Sequence, residues 1–456
     1  MIKEFEKPAT YTQFLKNLLP SVVTMIFLSF YTTIDGFFVS KYAGSDALAG
    51  INIVIPVTCV IFGVSVMLAT GAGAIIGEQM GKKHWDKVRQ IFSFMCVVLL
   101  IFAVVFTVVG LIFLKPIAVF LGTSERLMPH VLPYLAVILA GSVPMAFKLF
   151  FEYLVRTDGS PKVALLMSSS GLVLNVVLDY IFVGLMGLGT LGAALGTLIS
   201  IAISAAIGLV YFLRFSRIRF GRPRASGYIL FHACTNGSSE MFTELSTGIT
   251  TFLFNILIFK YYGEDGIAAI TIIMYIYYFF IAFYMGVAVA TAPIVSYNVG
   301  AENMAKIKET LRHSFVTIAV SSVFIFGMSN FFGPAIIGLF SEPGHVFDLT
   351  WEGLRIFGIL FLFIGLNVFM SGYFTALGNG VISAAISLTR SLFLVVVFIF
   401  LLPVFMGVYG IWAAMPAAEL VTIGLSVGLY LKFGRIWKKE ADDDKDDEDI
   451  AEAEAE

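Results

Sequence analysis

Apolar residues run in long unbroken blocks along this chain, and polar residues collect in short stretches between them. A spanning α-helix needs about 20 mostly apolar residues. Twelve blocks qualify: Leu18–Ser40, Ala49–Gly77, Ile91–Leu114, Leu132–Leu154, Ala164–Val183, Leu191–Leu213, Met241–Tyr261, Ile267–Val295, Ser314–Phe340, Ile356–Leu377, Val381–Pro403 and Val408–Phe433. No strand-length alternation competes with them. The pattern predicts an all-α polytopic membrane protein with twelve transmembrane helices and argues against an outer-membrane barrel.

The basic residues between blocks set the orientation. With both termini cytoplasmic, the N-terminus, the even-numbered connections and the C-terminal end hold 22 Lys and Arg, against 4 on the opposite side. That asymmetry is a strong positive-inside signal. It predicts a multi-pass protein of the cell membrane (inner or plasma membrane). The richest connection, Arg214–Gly237, falls between the sixth and seventh blocks.

The chain also repeats itself across that connection. Lys41-Tyr42-Ala43-Gly44-Ser45-Asp46 returns 219 residues later as Lys260-Tyr261-Tyr262-Gly263-Glu264-Asp265. From Lys41 to Arg89, 11 of 49 positions are identical at that offset. Six spans per half give both halves the same orientation, so this is a parallel repeat, as in transporters whose site lies between the halves near the midplane. The predicted organisation is an N-lobe over 1–213, a basic linker and the start of span seven over 214–240, a C-lobe over 241–433 and an acidic tail over 434–456.

Composition narrows the class further. Of 456 residues, 59% are hydrophobic and 13% charged, about half the charge of a soluble domain. A soluble multidomain enzyme is excluded. The formal net charge of −2 conceals a segregation, because residues 440–456 hold eleven acids and one base. Such a segment is too charged to fold alone and is expected to be a disordered cytoplasmic extension. Three scattered cysteines make neither a zinc site nor a disulfide framework. No short apolar stretch with a cleavage site opens the chain, so the first span is expected to serve as the insertion signal. Neither a phosphate-binding loop of the Walker type nor an H-E-x-x-H pattern occurs, so neither ATP use nor enzymatic activity is expected.

A carboxylate or ammonium inside a span costs about 2.5–3.5 kcal/mol on insertion scales, so each one needs a reason. Asp35 lies in span one, Asn175 and Asp179 lie four apart in span five, and Thr197 lies in span six. All four offer hard oxygen ligands, suited to a proton or to Na⁺. If Asp35 and Asp179 face each other they titrate as a unit; separate hydrogen-bonded residues near helix ends are the alternative. At the start of span seven, Glu240 reads as a helix N-terminal cap and Glu244 as the deeper, internal carboxylate. Lys148 and Glu152 read as an i,i+4 pair within one helix, and Arg390 with Glu419 as a pair between neighbouring helices. The aromatic run Tyr275–Tyr284 covers all sides of span eight, which favours packing, although one face suits organic cations.

Taken in order, several segments resemble the multidrug and toxic compound extrusion (MATE) family. They are Thr33-Ile34-Asp35-Gly36-Phe37-Phe38-Val39, the glycines Gly77 and Gly81, Asn175-Val176-Val177-Leu178-Asp179, and Gly192-Ala193-Ala194-Leu195-Gly196-Thr197. Asn236 to Glu240, Pro293 to Ala301 and Gly410-Ile411-Trp412-Ala413-Ala414 complete the set and look most like the prokaryotic branch of MepA-type exporters. The resemblance implies two six-helix lobes around a V-shaped cavity and export of amphipathic, often cationic, small molecules in exchange for H⁺ or Na⁺. It implies a cation site at Asp35, Asn175, Asp179 and Thr197, where Na⁺ is a possible metal ion. Candidates for the substrate cavity are Tyr31, Glu244, Asn255, Tyr284 and Asn367. Span ten offers no carboxylate for a second acidic site, so coupling is expected mainly in the N-lobe. Beyond the coupling ion no cofactor is expected; the partners are small organic molecules and the lipid bilayer, not nucleic acid, and a monomer is expected. A flippase for a lipid-linked saccharide, of related architecture, is the alternative; it calls for a cavity rich in Arg and Lys, whereas only Lys148, Arg355 and Arg390 lie within spans.

Overall fold

The computed structural model describes residues 3–6 and 8–434, so the reading of 435–456 as a disordered tail lies outside the described residues. Among the described residues, twelve helices can span, with each bent pair taken as one and the stretch Gly227–Gly300 as two. Helices α1 (Tyr11–Ala43), α2 (Ser45–Gly81) and α3 (Trp85–Ile112) open the first half. Helix α4 is a broken span, Met128–Ala140 followed by Ser142–Thr157 at 54°, and α5 (Pro161–Leu185) and α6 (Gly189–Arg214) follow. The continuous helical stretch Gly227–Gly300 turns back on itself at Gly263 and supplies α7 (227–262) and α8 (264–300). Helix α9 is Met304–Phe331; α10 is again broken, His345–Leu362 then Ile364–Ala376 at 40°; α11 (Gly380–Met406) and α12 (Tyr409–Gly434) close the bundle.

The duplication read from sequence recurs in the backbone. Left-handed residues pair at the same 219-residue offset: Gly44 with Gly263, Lys83 with Glu302, and Gly159 with Gly378, while Gly189 and Gly407 are 218 apart. The breaks in α4 and α10, at Gly141 and Phe363, lie within one helical turn of that offset. Gly263 has φ 59° and ψ −140°, a region nearly closed to residues with a Cβ, so glycine there lets α7 and α8 form a hairpin.

Two hydrophobic cores match the two lobes. One gathers residues of α2 to α6, including Phe92, Phe150 and Phe212. The other gathers α8 to α12, including Phe357, Phe361 and Trp412. The lobes also exchange contacts. Phe14, Leu18 and Val22 of α1 pack in the second core, and Ala233 of α7 and Tyr297 of α8 pack in the first. Lipid gives little hydrophobic drive for helix association, so close backbone approach matters more. Gly71 faces the Ala233 carbonyl, Gly237 faces that of Met67, and Gly300 faces that of Glu78, each with no room for a Cβ. These contacts lie in the halves of α2, α7 and α8 nearest the basic connections. At the same end Tyr297 donates to Glu6 Oε1 at 2.6 Å and the Ala9 amide to Glu309 Oε1 at 2.9 Å.

Candidate functional site

Within the first lobe α1, α5 and α6 bring four predicted residues together. Thr197 donates to Asp35 Oδ2 at 3.1 Å, and Asn175 Nδ2 reaches Asp179 Oδ2 at 3.4 Å. Asn175 and Asp179 also lie against the Asp35 carboxyl. Asn175, Asp179 and Thr197 are buried, and Asp35 is half-buried. Gly196, beside Thr197, meets Asp179 Oδ1 where a side chain would begin, so the neighbouring helix can press against the carboxylate only without a Cβ. Immediately after Asp179, α5 loosens into a π-helical turn, Tyr180–Leu185, a device frequent at functional sites.

The cluster is rich in acceptors and poor in donors. Among the described residues, Oδ1 of Asp35, Oδ1 of Asn175 and Oδ1 of Asp179 are buried and receive no hydrogen bond. Buried acceptors of this kind call for an explanation. A small hard cation could be shared by all three and a proton by two of them, and either removes the repulsion between the carboxylates.

A second feature lies between the lobes. A cavity open on one side is lined by α2, α4, α7, α8 and α10. Its walls obey the internal repeat: Ala69, Thr70, Gly73, Ala74, Tyr153 and Thr157 of the first lobe correspond at 219 residues to Ala288, Val289, Ala292, Pro293, Gly372 and Ala376 of the second. The cavity therefore sits at the pseudo-symmetric centre of the molecule. The symmetry is broken chemically, since Thr70 and Tyr153 face Val289 and Gly372, and Glu240 on α7 supplies a carboxylate.

Glu240 corrects the sequence reading. The helix is capped at Ser226, whose hydroxyl accepts from the Ile229 amide, so Glu240 lies fourteen residues inside it and lines the cavity. The apolar block starting at Met241 hid the true helix start. Glu244 is half-buried on the same helix and Asn255 is half-buried about three turns further on. Tyr284 and Asn367 lie inside the second lobe and do not line the cavity. Tyr284 donates to the Phe361 carbonyl at 3.1 Å, and Asn367 Nδ2 donates to Glu419 Oε2 at 2.6 Å. The Tyr31 side chain is outside the described residues. Most of the aromatic run of α8 packs inside its lobe, with Tyr277 against Phe357 at 5.9 Å and Phe280 against Phe361 at 5.1 Å.

Two other groups of internal charges form ion pairs. Glu152 holds Lys148 at 2.7 Å and Arg156 at 2.8 Å. Arg156 is 3% exposed, whereas the sequence places it in a cytoplasmic connection; α4 runs further than its apolar block and takes Arg156 inside. In the second lobe Arg390 reaches Glu419 Oε1 at 3.3 Å, and Ser426 donates to Asn367 Oδ1 at 2.8 Å.

The family model for MatE matches residues 20–181 and again residues 241–401, in step with the repeat. The chain belongs to the MatE family. It is a multipass helical membrane transporter of that family, similar to the multidrug export protein MepA of Staphylococcus aureus at 23% identity over 440 residues, covering 95% of this chain and 96% of the relative. The MepA of Staphylococcus saprophyticus is equally similar at 23%. Among solved structures, a MATE transporter in complex with MaL6 superimposes with a TM-score of 0.90 at 21% identity, covering 95% of this chain and 99% of that one. An outward-facing multidrug resistance MATE transporter gives 0.88 at 22%, covering 94% and 97%. At these identities the superpositions establish the two-lobe fold.

Proposed function

We propose that this transporter exports amphipathic, often cationic, small molecules in exchange for H⁺ or Na⁺, and that Asp35, Asn175, Asp179 and Thr197 bind the coupling ion. The observation that carries this reading is the set of three buried acceptor oxygens without donors on α1 and α5, beside the Thr197 hydroxyl of α6. An ion arriving there links α1, α5 and α6. Helix α1 reaches from this cluster into the core of the other lobe through Phe14, Leu18 and Val22, so the state of the site bears on how the lobes meet. A ligand moves such an equilibrium only by its differential affinity for the two states.

The central cavity is the proposed drug site, with Glu240 as its carboxylate and Tyr153 as its aromatic wall. With the basic connections cytoplasmic, the glycine contacts of α2, α7 and α8 close the cytoplasmic end, which corresponds to an outward-open state. A saccharide-lipid flippase fits less well: Lys148 and Arg156 are tied to Glu152, Arg390 is tied to Glu419, and Arg355 is exposed beside Trp351.

The test is dye export by purified protein in proteoliposomes, with pH and Na⁺ gradients imposed separately. Export is expected to follow one of the two gradients and to be lost in Asp35→Asn and Asp179→Asn. Full gradient-driven export by both variants would overturn the site assignment.

A further inference from the structure

The end of α12 and the connection between α6 and α7 lie on the same side of the bundle, because six spanning helices separate them. The connection presents a fixed, strongly basic surface. Arg214, Arg217, Arg219, Arg222 and Arg224 fall within eleven residues that contain no acid, and all five are exposed. The backbone beneath them is anchored to the first lobe. Ile218 is fully buried, its amide donates to Ser216 Oγ at 2.9 Å, the Gly221 amide donates to Ser93 Oγ at 2.8 Å, and Phe220 packs on Phe92 at 4.9 Å. Arg217 lies beside Asp158. Among the described residues no salt bridge engages any of the five.

At the other terminus the Gly434 carbonyl is held by Tyr373 Oη at 2.7 Å. Beyond it the sequence continues for 22 residues, and 440–456 carry eleven acids and one base. We propose that this acidic segment docks on the arginine connection 214–224 and so clasps the second lobe to the first at their basic ends. Fully extended, 22 residues reach about 70–80 Å, while a compact protein of 456 residues has a radius of gyration of only about 22 Å. The segment can therefore reach the connection from Gly434. Single exposed ion pairs are weak, but tethering places the acids at roughly millimolar effective concentration, and several pairs fall within one Debye length of about 8 Å. A free anionic surface must compete with an occupant already attached.

The experiment reads docking without reading transport, so its failure is distinguishable from failure of the proposed function. Full-length protein with Cys59, Cys96 and Cys234 replaced by Ser, and carrying Pro223→Cys with Ala451→Cys, is placed in phosphatidylcholine nanodiscs and treated with a short thiol cross-linker. A cross-link is expected at low salt. It is expected to be lost at about 1 M salt, and also when Asp442, Asp443, Asp444, Asp446 and Asp447 are changed to Asn. No cross-link at low salt, or one indifferent to both changes, overturns the proposal. Loss of the cross-link in phosphatidylglycerol discs at low salt assigns the arginines to lipid headgroups and also overturns it. Independently, ending the chain after Lys439 is expected to speed alkylation of Pro223→Cys several-fold; an unchanged rate counts against docking.

Discussion

The two lobes share a backbone and differ in their polar interiors. Their left-handed turns fall at matching positions, both their fourth spans break, and the walls of the central cavity correspond residue by residue. Their buried charges do not correspond. Lys148, Glu152 and Arg156 of α4 stand opposite Asn367, Ser371 and Thr375 of α10. In the second lobe, Glu419 has two partners, Arg390 and Asn367, and Ser371 joins Ser383 and Ser387 at 2.9 and 2.7 Å. In the first, Asp35 and Asp179 face each other with acceptors unfilled. Duplicated helices thus supply two matching lobes, while the proposed ion site needs only one of them to keep carboxylates with unfilled acceptors.

The sharpest way to break this contrast is to neutralise one acid in each lobe. Asp179→Asn is expected to reduce gradient-driven dye export in proteoliposomes to background. Glu419→Gln is expected to keep the ion dependence of export while losing thermal stability, because Arg390 then lacks its counter-charge. If Glu419→Gln abolishes coupling and Asp179→Asn does not, the functional roles assigned to the lobes are reversed.

A second comparison concerns the scaffold charges. Removing Glu152 leaves Lys148 and Arg156 buried without a counter-charge, and breaking a buried ion pair costs about 3–5 kcal/mol. At the corresponding position, Ser371→Ala removes neutral hydrogen bonds worth about 0.5–1.5 kcal/mol each. Thermal unfolding in detergent is therefore expected to show a much larger drop for Glu152→Ala than for Ser371→Ala. Equal drops would show that the triad is no more than a solvated surface pair.

Most of the architecture was legible because apolar length and the 219-residue repeat report directly on helices and their duplication. The meeting of Asp35, Asn175, Asp179 and Thr197 was legible too, since carboxylates inside apolar blocks are conspicuous. Glu240 and Arg156 were misplaced for one physical reason. Hydropathy marks where a helix is apolar, not where its hydrogen bonds begin and end, and α4 and α7 both extend past their apolar blocks. Nor does sequence show which face of a helix a residue occupies, which is why Tyr284 and Asn367 read as cavity residues.

The hinges allow a finer test of the symmetry. Gly44 at φ 88° and Gly263 at φ 59° make the corresponding hairpins between α1 and α2 and between α7 and α8. Backbone of this kind costs a non-glycine residue about 1–3 kcal/mol. Gly44→Ala and Gly263→Ala should each lower thermal stability, by similar amounts. A loss confined to one of them would show that the hairpins are not mechanically equivalent.

The smallest expected effect compares two ways of ending a helix. After α4 and after α10, the chain closes with the same pair of bonds: Gly159 to Arg156 and Ser160 to Val155, Gly378 to Thr375 and Asn379 to Phe374. Both use glycine at the left-handed position, as this capping motif prefers. After α2 and α8 the same bonds recur, Lys83 to Met80 and His84 to Gln79, Glu302 to Val299 and Asn303 to Asn298, but the left-handed residues are Lys83 at φ 60° and Glu302 at φ 56°. A side chain in that conformation costs roughly 1–2 kcal/mol, offset by the roughly 0.4–1 kcal/mol that glycine adds to the entropy of the unfolded chain. Lys83→Gly and Glu302→Gly should therefore each stabilise the protein by up to about 1 kcal/mol, and Gly159→Ala and Gly378→Ala should each destabilise it by a comparable amount. Thermal unfolding of the four single variants checks both signs. If either glycine substitution destabilises, the Lys83 or Glu302 side chain makes a contact worth more than the strain, and the two caps of that lobe are not interchangeable.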